Sequence, residues 1–164
     1  WLLLLLVVNT ATASVIAAQE ALLAEVVLLA AFIPLIIDTG GNIGAQSATV
    51  VIRGLATGEI RPRRALFIVG REISVGLLLG LLLGMAVLAW AFWLGRDFQV
   101  SMVVALTLLG VATLATAIGS AMPFIFRLSK VDSALVSAPL ITTVMDIAGV
   151  VMYFGVAHLL LFSN

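Results

Sequence analysis

Two carboxylates stand where an apolar sequence has least reason to keep them: Asp38 and Asp146, each near the middle of a long hydrophobic run. At the centre of a bilayer a charged carboxylate costs at least about 2.5 kcal/mol even on a lenient insertion scale, so such a residue faces a partner, a water-filled cavity or an ion path. Around Asp146, the positions Pro139, Thr142, Gly149 and Tyr153 recur at three- and four-residue steps, which places them on one helix face. Pro139 has no N–H and leaves the Leu135 carbonyl without its helical donor. Near Asp38, a second polar stripe runs through Asn42, Gln46, Thr49 and Arg53. The oxygens on offer are carboxylate, amide, hydroxyl and carbonyl, hard ligands that suit Mg²⁺ or Ca²⁺. Mg²⁺ dehydrates reluctantly, so one or two carboxylates with spaced dipoles would hold it largely hydrated, in a wide polar pore and not a closed cage.

Other chemistries find no footing. The sequence has no cysteine and one histidine, His158, which removes thiolate nucleophiles, cysteine-based metal sites and histidine clusters together. Asp38-Thr39-Gly40 does read as the D-T-G of an aspartic protease, but that reaction needs two carboxyls about 3 Å apart sharing a proton. The second D-T-G is missing, because Asp146 is followed by Ile147-Ala148-Gly149. No Ser-His pair, zinc motif or phosphate loop occurs either, and an enzyme is not expected.

The elements that must carry these residues follow from composition. Of 164 residues 63% are hydrophobic and 10% charged, with a mean hydropathy of +1.30, whereas soluble domains are near half apolar and a quarter charged. This is the composition of an all-α integral membrane domain, one unit over residues 1–164. Eight basic residues balance eight acidic ones, which gives no electrostatic basis for binding nucleic acid. Five spans are expected: Trp1 to Ala18, Val26 to Ala56, Ala65 to Leu94, Phe98 to Phe126 and Ser133 to Phe162. The second is roughly 46 Å long as straight helix, against a hydrocarbon core of roughly 30 Å. Pro34 and the glycines of Asp38-Thr39-Gly40-Gly41-Asn42-Ile43-Gly44 lie within it, so a break or kink is expected there. In the third span Gly76, Gly80 and Gly84 recur every fourth residue, a face for close helix packing.

Arg53, Arg61, Arg63, Arg64, Arg71, Arg127 and Lys130 fall at the ends after spans two and four, and Arg96 alone falls on the other side. The positive-inside rule then puts the amino end in the cytoplasm and the carboxyl end outside, in a multi-pass protein of the cell (inner or plasma) membrane. The sequence opens on Trp1 without an initiator Met or a basic leader, as a piece of a longer chain would.

With these residues in view, the sequence resembles the transmembrane domain of the MgtE family of magnesium channels and transporters. Pro34 followed by Asp38-Thr39-Gly40-Gly41-Asn42-Ile43-Gly44-Ala45-Gln46-Ser47-Ala48-Thr49 is similar to the family's proline and GTGGNxGNQSAT pattern. Ala134-Leu135-Val136-Ser137-Ala138-Pro139-Leu140 leading to Asp146 is similar to its ALVSNPL…D arrangement. The resemblance implies a homodimer whose second and fifth spans line a central pore, with hydrated Mg²⁺ as the transported ion. It implies Asp146 as the central ligand, with Gly41, Thr49 and Thr142 at further pore-lining sites.

Three positions depart from the family's pattern, each on the implied pore: Asp38 replaces a glycine, and Ala45 and Ala138 each replace an asparagine. Two amides are lost and a carboxylate gained, so a dimer would bring four acids to one pore. Asp38 joins the expected metal ligands, while Asn42, Ala45, Gln46, Ala138 and Pro139 complete the expected lining. A passive channel for Mg²⁺ or a related divalent cation is the leading expectation. An H⁺- or Na⁺-coupled exchanger, with Asp38 or Asp146 as relay, and a structural membrane subunit with both acids paired internally are the alternatives.

Overall fold

A computed structural model describes residues 2–95, 97–128 and 133–162, and every regular element among them is helical. In order these are α1 (Leu2–Ala17), α2 (Glu20–Glu25), α3 (Leu28–Ala56), a 3-10 turn (Pro62–Arg64), α4 (Ala65–Gly95), α5 (Phe98–Leu128) and α6 (Ser133–Leu161). Helix is what these apolar runs permit in lipid, where each backbone N–H and C=O must find its partner within the chain. Trp1, Arg96, Lys130 and Asp132 lie outside the described residues, and with them part of the expected charge asymmetry.

Among the described residues four helices are long and apolar enough to cross a membrane, corresponding to the second to fifth expected spans. At 29 to 31 residues each is roughly 44 to 47 Å long and exceeds the hydrocarbon core, so these helices tilt or project beyond it. α1 has 16 residues, roughly 24 Å, an apolar helix shorter than a full crossing. Between the first two expected spans lies the six-residue α2.

α3 corrects the expected break. It is continuous from Leu28 to Ala56, through Pro34 and through every glycine of the motif. Among the described residues the glycine with positive φ is Gly58, beyond the helix end, where φ is +77°. The motif glycines act by lacking a side chain. A Cβ on Gly40 would lie 2.8 Å from Val111 Cγ1 on α5, and one on Gly44 would lie 2.7 Å from Ile141 Cγ2 on α6. With no side chains there, the motif lets three helices close on one another.

α5 is the central post. Val100, Val103, Val104, Leu108 and Val111 are fully buried along it, and Asp97 caps its start by accepting the Gln99 and Val100 N–H groups at 2.8 and 3.1 Å. α4 docks along α5 through the expected stripe: a Cβ on Gly76, Gly80 or Gly84 would meet Ala112 O at 2.8 Å, Leu109 Cα at 2.8 Å or Ala105 O at 2.9 Å. The other side of α4 presents Leu78, Leu82, Trp90 and Trp93 outward, as a lipid-facing surface would. α3 and α6 pack on each other and on α5, and α1 leans on α6, where His158 Nε2 and Gln19 Oε1 are 2.9 Å apart.

Candidate functional site

Asp38, Asn42, Gln46 and Thr49 follow one another along α3 at steps of four, four and three, so they share a face. That face is not packed against the rest of the chain: all four are exposed. Beside it, α6 brings Thr142 and Asp146. Ile33, Pro34, Ile37, Asp38, Gly41, Asn42, Thr142 and Asp146 line an open hollow of about 510 Å³. A second hollow, about 450 Å³, is lined by Asn42, Ala45, Gln46, Thr49 and Val50. Asn42 belongs to both, so the two form one groove running down α3.

The local geometry keeps oxygen atoms free in that groove. Asn42 Nδ2 donates to Asp38 Oδ2 at 3.0 Å, which steadies the carboxylate and engages one of its oxygens. Thr142 and Thr143 both donate to the Pro139 carbonyl at 2.9 Å. Thr49 donates to the Ala45 carbonyl at 2.8 Å. A hydroxyl that has given its proton to the backbone still presents lone pairs to a cation. Gly41 lets α6 come close, since a Cβ there would stand 3.3 Å from the Thr142 methyl. Among the described residues neither Asp38 nor Asp146 is paired with a basic side chain.

Among the described residues no three His, Cys, Asp or Glu side chains converge as a metal cage. The carboxylate, amide and hydroxyl oxygens are spread along the groove, an arrangement unlike the compact octahedron that would replace the whole water shell of Mg²⁺.

The groove gathers eight of the expected site residues: Asp38, Gly41, Asn42, Ala45, Gln46, Thr49, Thr142 and Asp146. Ala138 is exposed and Pro139 half-buried on α6, and neither lines the two hollows. The expected polar face of α6 divides. Its Thr142 and Asp146 open on the groove, but Tyr153 is buried and donates to the Leu29 carbonyl of α3 at 3.0 Å, and Gly149 lies against Ile36. Sequence reasoning missed the apolar part of the lining, Ile33, Ile37 and Val50, whose types carry no signal apart from their place beside the polar stripe.

The groove runs within a matched region: a family model described as a divalent cation transporter, MgtE, covers residues 33–156. The chain belongs to the MgtE family. Individual relatives agree. The sequence is 39% identical over 163 residues to "Magnesium transporter MgtE" of Thermus thermophilus, covering 98% of this chain and 36% of that protein. It is 35% identical over 158 residues to the protein of the same name from Bacillus subtilis, covering 96% and 35%. For that of Enterococcus faecalis the identity is 32% over 159 residues, covering 97% and 35%. The chain thus spans about a third of the length of these relatives. MgtE proteins are transporters and not enzymes, and four long apolar helices make this member a membrane protein. Of the three departures from the MgtE pattern, Asp38 and Ala45 line the groove and Ala138 lies beyond it.

Proposed function

We propose that this chain conducts Mg²⁺ or a related divalent cation across the cell membrane, through a water-filled pore formed where the α3–α6 groove faces a second copy. One observation carries the reading: a row of polar groups with two carboxylates lies open on the side of a helical bundle whose long helices are otherwise mostly apolar outward. Facing lipid, each carboxylate would cost at least about 2.5 kcal/mol. Facing a twofold-related groove, the same row becomes the wall of an aqueous path with four carboxylates. Asp146 is the central ligand and Asp38 adds to cation capture. Gly41, Thr142 and Thr49 contribute backbone and hydroxyl oxygens, with Asn42, Ala45 and Gln46 along the wall and Ala138 and Pro139 at its α6 margin. The relatives' names, which give magnesium as their cargo, support the choice of ion. α1, shorter than the hydrocarbon core, makes a fifth crossing where the bilayer thins to match it, with the amino end cytoplasmic and the carboxyl end outside.

Divalent-cation flux into liposomes tests this. The purified protein passes Mg²⁺, and Asp146→Asn abolishes the flux; unchanged flux in that variant would remove Asp146 from the path. No flux in the parent protein would favour the structural-subunit reading. Two acids in one hollow also favour a second reading, coupled exchange with H⁺ or Na⁺. Flux that ignores imposed gradients of both ions would dispose of it.

A further inference from the structure

A third acid lies within the apolar helices, away from the groove. Glu72 of α4 is half-buried, and its Oε2 accepts a hydrogen bond from Ser47 Oγ of α3 at 2.9 Å. Ser47 is 5% exposed and lies about 180° around α3 from Asp38, at roughly 100° per residue, so it marks the back of the groove helix. The same hydroxyl is 3.3 Å from the Thr116 carbonyl of α5. Its single proton can go to either acceptor, and the geometry ties α3 to α4 and α5 at one point.

The backbones converge at this level. A Cβ on Gly119 of α5 would lie 3.0 Å from the Gly44 carbonyl carbon of α3, and one on Gly76 of α4 would fall 2.8 Å from Ala112 O of α5. α4 leans chiefly on α5, and the Glu72 side chain reaches past it to α3. An acid inside apolar helices is costly and is retained where its contact matters. Here the contact is with the reverse side of the helix that carries Asn42, Gln46 and Thr49.

We propose that Glu72 is a positioning residue: through Ser47 it fixes the rotation of α3 about its own axis, and with it the aim of the polar row into the groove. This rests on the reading of the groove as the ion path, and it adds a residue that never meets the ion. A rotation of about 10° at a radius of about 5 to 6 Å displaces a groove side chain by about 1 Å. Where orientation governs a step, a misplacement of that size can cost on the order of 100-fold.

The absence of cysteine in this sequence makes the test direct. Gln46→Cys and Thr49→Cys, each in the protein reconstituted in liposomes, report groove access by their rate of modification with a membrane-impermeant thiol reagent. Glu59→Cys, on the exposed link after α3, is the control. Adding Glu72→Leu is expected to change the rates at 46 and 49 several-fold while the rate at 59 holds, and to cut Mg²⁺ flux about tenfold or more. Glu72→Gln, whose amide oxygen still accepts from Ser47, restores both. If the leucine variant does not fold, Ser47→Ala removes the same contact, and its effect should not grow when Glu72→Gln is added. Unchanged rates at 46 and 49 in Glu72→Leu, or in Ser47→Ala, would overturn the proposal, as would a glutamine variant as impaired as the leucine one. Altered labelling in a protein that passes no cation would leave the positioning role standing and refute the ion-path reading instead.

Discussion

Gly119→Ala should loosen the contact between α5 and the groove helix, and the cost can be worked from the backbone. A Cβ at 119 would fall on the Gly44 carbonyl, 3.0 Å from its carbon and closer still to its oxygen. Both partners are main chain, so no side chain can swing aside. The helices must part by about 1 Å to reach ordinary contact distances near 3.5 to 4 Å. Overpacking of this kind costs about 1 to 3 kcal/mol, partly offset by the gain of about 1 kcal/mol in helix propensity when alanine replaces glycine. The offset can be isolated, because Gly70 and Gly155 are helical glycines with nothing within 4 Å of a built Cβ. Gly70→Ala and Gly155→Ala carry the propensity gain without the clash. In thermal unfolding of the detergent-solubilised protein, Gly119→Ala should therefore fall below both controls by about 1 to 3 kcal/mol. Equal stability of all three would refute the close approach of α3 and α5, and with it the account of the glycine motif as packing.

Asp38→Gly restores the residue of the family pattern and removes one carboxylate from the groove; apparent Mg²⁺ affinity in liposome flux should weaken about tenfold, or about 1.4 kcal/mol, with Asp146-dependent flux retained. Thr142→Val takes a hydroxyl from the hollow while Thr143 still satisfies the Pro139 carbonyl, so flux should drop several-fold with little change in the unfolding temperature. Tyr153→Phe deletes the buried bond to Leu29 at a cost of about 0.5 to 1.5 kcal/mol, measured by the same unfolding assay, and leaves the flux per folded molecule unaltered.

The long helices and the polar row were legible in the sequence for a simple reason. Apolar length and a three-to-four spacing are one-dimensional properties, and Asp38, Asn42, Gln46 and Thr49 carry both the spacing and the chemistry. The continuity of α3 was not legible. Glycine favours a bend and favours close packing through the same missing atoms, and the decision rests with Val111 and Ile141, which are distant in sequence from Gly40 and Gly44. Tyr153 misled for a related cause: helical spacing assigns it to the face of Asp146, but the crossing of α6 over α3 turns the outer part of that face into core. Glu72 escaped notice because it stands near the basic link before α4, where a charge looks like a solvated helix end. Its partner Ser47 is on another helix, and no local pattern joins them.

The groove is open along one side, and that has a genetic corollary. If a second copy supplies the missing wall, a defective molecule spoils the conduit of whichever sound molecule it meets. Co-expression of an Asp146→Asn copy with the parent would then depress transport well beyond simple dilution, whereas self-sufficient single molecules would lose only in proportion.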